Sequence, residues 1–155
     1  MAFKLKTSKR ASEIFDQIER SENLPCYTLV KIAMALSMRS KEPLKETDFH
    51  TNTLGRELNR QTITGDADAL YKCLMELYSG KHLTDEEFFP GYVKAHIDRG
   101  SKMLEQEQKY SSDFLMHLIE LDQSNGYNFI GLLKEVCNGK YFVSKTGCRK
   151  DKATL

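Results

Sequence analysis

The chain begins with a period-two alternation and then switches to a helical period. Phe3 and Leu5 are apolar while Lys4 and Lys6 are basic, the pattern of a half-buried β-strand with one oily and one cationic face. Ser8 then offers an N-cap. Ala11, Ile14, Phe15 and Ile18 fall on one stripe of a helix over residues 9–21. The segment Glu22-Asn23-Leu24 makes a turn, and Pro25 fits the first position of a second helix, where its missing N–H costs nothing. Leu29, Ile32, Ala33 and Leu36 form the stripe of that helix, and Val30 and Met34 widen it. A helix apolar on so much of its circumference is packed on more than one side, as at an oligomer interface.

Pro43 bars helix in the polar stretch from Arg39 to Lys45. Residues 46–66 read as an ordered loop with a short strand or helical turn, anchored by Phe49, Leu54, Leu58 and Ile63. A third helix over 66–79 is expected to turn Leu70, Cys73, Leu74 and Leu77 inward and to stop at Gly80. Thr84-Asp85-Glu86-Glu87 is a capping-box pattern opening a fourth helix that ends near Lys109. Phe88, Phe89, Val93, Ile97 and Leu104 line it, and Pro90-Gly91 should kink or restart it. Phe114, Leu115, Leu118 and Ile119 predict a fifth helix. Phe129, Leu132, Leu133 and Val136 predict a sixth, after a turn at Ser124-Asn125-Gly126.

The expected fold class is therefore mainly α: a ribbon-helix-helix-like N-terminal unit of one short β-strand and two helices, followed by a helical bundle. In ribbon-helix-helix modules two chains pair their strands into a ribbon that fits the DNA major groove. A lone strand leaves its backbone groups unpaired. The pattern thus predicts a dimer or higher oligomer and a polyanionic partner. The expected divisions are a core over 1–110, a helical hairpin over 111–140 and a basic, disordered tail over 141–155.

Charge sharpens this picture. The chain of 155 residues has a net charge of only +1, yet residues 1–10 and 140–155 together carry +8 and the 129 residues between them −7. Segregation of this kind suits a polyanion contact made by the ends of an acidic body. With 40% hydrophobic and 29% charged residues the chain reads as globular and soluble. No apolar run approaches a membrane span, and the first residues lack a signal-peptide core. Cys26, Cys73, Cys137 and Cys148 show no CxxC spacing, and Cys73 and Cys137 sit on apolar helix faces. Buried free thiols in a reducing cytoplasm are expected.

Enzyme signatures are absent from the sequence. There is no GxxxxGK[ST] phosphate loop and no GxSxG elbow. His50, His82, His96 and His117 lack zinc spacing, and His96 reads as a hydrogen-bonded structural residue. Asp48, His50, Glu57, Asp66 and Asp68 beside Arg56 and Arg60 are the one cluster that could hold a divalent ion and cut a phosphodiester, although such charges are ordinary in a polar loop and at a helix start. Binding asks for less geometry. Lys4, Lys6, Lys9 and Arg10 can each neutralise a phosphate, and Arg56 and Arg60 would share one face if their segment is helical. Lys31 and Arg39 are weaker candidates. Six such contacts would give a slope of log affinity on log salt near −5, at about −0.9 per phosphate. No catalytic residue, metal ligand or cofactor is expected.

The stretches FKLKTSKRASEIFDQI, LPCYTLVKIAMALSM, LGRELNRQTITGD and AHIDRGSKMLE, in that order, resemble the DndE family, the small subunit of bacterial DNA phosphorothioate (DNA sulfur) modification systems. The resemblance spans residues 3–105 and does not reach 111–155. It implies a homo-oligomer, a tetramer, that works with sulfurtransferase and ATPase subunits and binds double-stranded DNA, notably nicked duplex, without performing sulfur transfer itself. The expected function is thus a non-catalytic DNA-binding subunit of a phosphorothioation complex, in the cytoplasm and away from any membrane. The alternatives are a ribbon-helix-helix repressor or antitoxin, and a scaffold of the same complex without DNA affinity.

Overall fold

The computed structural model describes residues 2–124, so the predicted sixth helix, the basic tail, Cys137 and Cys148 lie outside the described residues. The chain forms two compact units, the first ending at Ser112 and the second beginning at Asp113. The described part is mainly α, with one short two-stranded sheet. No helix among the described residues is long and apolar enough to cross a membrane.

β1 (Lys4–Lys6) leads into α1 (Lys9–Glu22), whose N-cap is Ser8, its hydroxyl accepting from the Ala11 N–H at 3.2 Å. The expected stripe of Ala11, Ile14, Phe15 and Ile18 is buried. Asn23 closes α1 in the left-handed region at φ 53, a conformation its short polar side chain tolerates. α2 (Cys26–Arg39) starts one residue later than the sequence suggested, with Pro25 extended just outside it. Its wide apolar surface is covered within this chain, by α6 (Val93–Tyr110) above all and by α1 and by α4 (Arg60–Ile63). The breadth of its apolar surface marks a central core helix rather than the oligomer interface inferred from sequence.

β1 finds its partner inside the chain as well. The expected loop contains α3 (Glu46–Phe49), β2 (Glu57–Asn59), α4 and a 3-10 turn at Gly65–Ala67. β2 pairs antiparallel with β1, setting Lys4 opposite Asn59, Leu5 opposite Leu58 and Lys6 opposite Glu57. Leu5 and Leu58 face the core, and the other pairs face out. A second chain is therefore not needed to satisfy the strand, which corrects the inter-chain ribbon read from the sequence. Phe3, expected beside Leu5 on the oily face, is 68% exposed. Leu58 and Ile63 anchor the 46–66 segment, while Phe49 and Leu54 are exposed.

α5 (Asp68–Ser79) is present but rotated from its expected setting. Met75 is its one buried residue, while Leu70, Cys73 and Leu77 are exposed and Leu74 is half-buried. The capping box forms, with Thr84 N–H donating to Glu87 Oε2 at 2.9 Å and Glu87 N–H to Thr84 Oγ1 at 3.2 Å. Phe89 is then extended (φ −126, ψ 118) and precedes a cis proline, so the long helix restarts at Val93. Within the second unit, α7 spans Phe114–Ser124 as expected.

α2 and α6 meet backbone to backbone. A Cβ on Gly100 would lie 1.9 Å from the Ala33 carbonyl oxygen, so this crossing admits only glycine.

Candidate nucleic-acid interface

The cationic face begins on β1. Lys4 and Lys6 are two residues apart on a strand, so both project to its exposed side. Glu57 stands opposite Lys6 and reaches Lys4, with Oε1 2.8 Å from its Nζ. Hydrogen bonding between them raises the Lys4 pKa and lowers that of Glu57. The pair is exposed and contributes little to stability. Its effect is to share one negative charge between two lysines. Lys9, the first residue of α1, extends the exposed basic run, and its backbone N–H is held by Asn52 Oδ1 at 2.9 Å. The Lys6 and Lys9 ammonium groups have no ion-pair partner among the described residues.

This edge rests on a rigid support. Asp98, 2% exposed, accepts from Ser8 N–H at 3.0 Å, from Thr51 Oγ1 at 2.5 Å and from Lys94 Nζ at 2.8 Å. One buried carboxylate thus ties the N-cap of α1 to α6 and to the loop after α3. Charge-assisted hydrogen bonds of this kind are shorter and stronger than neutral ones. Gly55 crosses against the same junction, donating its N–H to the Thr7 carbonyl at 2.9 Å, and a Cβ there would sit 2.3 Å from the Ser8 carbonyl oxygen. Lys6 and Lys9 are carried on either side of this clamp.

The arginines have other employments. Arg10 Nη2 donates to both Glu105 carboxylate oxygens at 2.9 Å. Arg56 bridges Asp16 at 2.5 Å and Glu19 at 3.2 Å on α1. Arg60 is 9% exposed; it grips Asp68 and Asp85 with four hydrogen bonds of 2.6–3.0 Å and lies over the rings of Phe88 and Phe89. Arg56 and Arg60 do not share a helical face, because β2 separates them and sends one to α1 and the other to the start of α5. Arg60 is a structural node. Four of its five N–H groups are spent on carboxylates, and burial closes the rest of the guanidinium to a phosphate.

The acidic cluster that could have held a metal is dispersed. Asp48 caps α3 through Lys45 N–H, Glu57 faces Lys4, Asp68 binds Arg60, and His50 lies 3.8 Å from Glu46. Among the described residues no group of three His, Cys, Asp or Glu side chains could hold a metal ion. Ser37 Oγ and His96 Nδ1 lie 2.9 Å apart, but both residues are fully buried, and Arg99 donates to Ser37 Oγ at 2.8 Å. Burial pushes the His96 pKa down to about 3, with the Arg99 charge adding to the effect. The imidazole is a neutral core residue, as its solitary helical position suggested.

The sequence overlooked Arg20 and Tyr27, which are exposed together with the weaker candidate Lys31. Tyr27 and Lys31 are one helical turn apart on α2. The only available signal was that neither belongs to the apolar stripe.

Residues 4–112 match the family described as DNA sulphur modification protein DndE. No curated protein matches the chain. Among solved structures, the crystal structure of DndE from Escherichia coli B7A, involved in DNA phosphorothioation modification, superposes with a TM-score of 0.55 at 12% identity over 67% of this chain and 96% of that one. That of a DndE mutant involved in DNA phosphorothioation gives 0.54 at 12% identity, over 66% and 97%. At that identity the likeness concerns the fold alone.

Proposed function

Because the chain belongs to the DndE family of DNA sulphur modification proteins, we propose that it is the non-catalytic, DNA-binding subunit of a phosphorothioation complex and works as a homo-oligomer. The observation that carries this reading is the exposed basic run of Lys4, Lys6 and Lys9 on a strand and helix start clamped from below. Phosphate contacts from such lysines position a protein on duplex DNA without reading sequence. Phe3, exposed beside them, offers an aromatic face on which a base loosened at a nick can stack. The sulfurtransferase and ATPase subunits supply the chemistry in this scheme. The non-catalytic assignment is supported by the burial of the Ser37–His96 pair, the nearest approach to a catalytic dyad among the described residues.

With Arg10, Arg56 and Arg60 engaged internally, Lys6 and Lys9 remain, together with Lys4, whose pair with Glu57 is exposed on both sides and open to displacement by a phosphate. Fluorescence anisotropy with nicked and intact duplexes over a salt series is expected to give a slope of about −3 per protomer rather than −5. Lys6→Glu/Lys9→Glu should abolish binding without changing the oligomeric state, and Phe3→Ala should remove the preference for the nick. Absence of binding by the wild-type chain at low salt would leave the scaffold role in its place.

A further inference from the structure

Arg99 on α6 differs from Arg10, Arg56 and Arg60 in meeting only neutral oxygens. Its Nε donates to Ser37 Oγ at 2.8 Å and its Nη1 to the Glu42 carbonyl at 2.9 Å. Its Nη2 donates to the Ser37 carbonyl at 2.5 Å and to Tyr78 Oη at 2.9 Å. Four N–H groups are thus spent on positioning, one remains on Nη1, and the charge of a half-buried guanidinium stays uncompensated. A charge drawn partly out of water without a counter-ion is costly.

That guanidinium lines a cleft of about 380 Å³ between α6 and the segment joining α2 to α3, with Ser40, Glu42, Lys45, Asp48 and Lys102 also on its wall. Both acids on the wall are engaged with Lys45. Glu42 Oε2 lies 3.9 Å from its Nζ, and Asp48 accepts its N–H at 2.9 Å. Lys102 is exposed and stands one turn from Arg99 on neighbouring positions of α6. The carboxylates nearest it along the helix are taken, Asp98 by Lys94 and Glu105 by Arg10 and Lys109. Ser40 Oγ accepts from the Glu42 N–H and keeps its own hydrogen to donate. A guanidinium, an ammonium and a hydroxyl therefore surround one opening, and no carboxylate neutralises the two cations.

We propose that this cleft binds a phosphate group of a nucleic acid between Arg99 and Lys102. Phosphate fits because its several oxygens can serve the guanidinium, the ammonium and the Ser40 hydroxyl at once, where a carboxylate has two. The proposal takes only the class of ligand from the DNA-binding reading and uses none of the Lys4–Lys9 run.

Inorganic phosphate is the first probe, titrated at constant ionic strength and followed by its own 31P line width. The full-length Lys6→Glu/Lys9→Glu chain is used beside wild type, so that the lysine run is silent in one of them. Saturable broadening is expected in both. Lys102→Gln, at an exposed position, should weaken phosphate binding about tenfold in either background, and Lys102→Arg should retain it. Arg99→Gln should abolish it, with circular dichroism showing whether the Ser37 and Glu42 contacts were needed for folding. Oligonucleotides then compete with phosphate in the Lys6→Glu/Lys9→Glu chain. Displacement by a 5′-phosphorylated strand and not by its hydroxyl-ended twin identifies a terminal phosphate as the ligand. Equal displacement by both identifies a backbone phosphate, which would also steepen the duplex salt slope of the wild type by about one. Displacement by neither overturns the nucleic-acid source. No saturable phosphate binding, or binding that survives Lys102→Gln unchanged, overturns the site and leaves the lysine-run reading to its own anisotropy test.

Discussion

Gly100→Ala is expected to lower the thermal midpoint by about 10 °C. The added methyl would lie 1.9 Å from the carbonyl oxygen and 2.4 Å from the carbonyl carbon of Ala33, and both are main-chain atoms of α2. No rotamer relieves a clash between Cβ and backbone, so α2 and α6 must move apart. That separation loosens the most extensive helix packing in the chain, with Leu29, Ala33, Ile97 and Leu104 all buried there. Two effects oppose each other. Replacing a mid-helix glycine by alanine favours the helix by about 1 kcal/mol. Overpacking a tight core costs up to about 3 kcal/mol, or more where no side chain can yield. The clash wins, and a net loss of roughly 2–3 kcal/mol moves the midpoint by the stated amount for a chain of this size. A midpoint that stays level or rises would show that the two helices do not touch at this point.

Arg60→Ala is expected to cost about 3 kcal/mol at neutral pH while leaving the salt slope of DNA binding unchanged. The guanidinium holds Asp68 at 2.6 Å and Asp85 at 2.8 Å, and its removal leaves two carboxylates facing a gap above Phe88 and Phe89. Breaking a buried pair by deleting one partner costs about 3–5 kcal/mol, and the partial exposure of both aspartates puts this site at the low end. The Arg60 hydrogen bonds hold both carboxyl groups below their usual pKa. Their contribution is therefore complete above the ordinary carboxylate pKa of about 4 and is lost as pH falls through the lowered folded values. Urea melts of wild type and variant should differ most at pH 7 and converge in acid. A difference independent of pH would place the loss in packing on the aromatic rings instead. A shallower salt slope for the variant, measured below its melting temperature, would return Arg60 to the DNA contacts.

Elements carried by local periodicity were legible in the sequence. α1 with its Ser8 cap, α2, the Thr84–Glu87 capping box and the restart after Pro90 all depend on neighbours within a few residues, which is the range over which side chains and backbone dictate helix and cap. The family was legible for a related reason, since the order and spacing of such elements survive where identity does not. Features that depend on distant residues were not legible. β1 pairs with β2 more than fifty residues away, because three-residue strands carry no signal of their partner. Arg60 and Lys6 are both cations in polar surroundings in the sequence, yet only the first meets two carboxylates in space.

The α5 stripe shows the same division. Its period of 3.6 was read correctly, but period does not say which way a face points. Sequence by itself determined that this chain is a mainly helical member of the DndE family with its net positive charge gathered at its two ends, one of them a strand and helix start. Only the tertiary structure decided which cations stay open to a polyanion and that the Leu70–Leu77 face looks outward. The reason is that exposure and ion pairing are settled by long-range packing, which apportions each residue to the core, to a partner or to solvent.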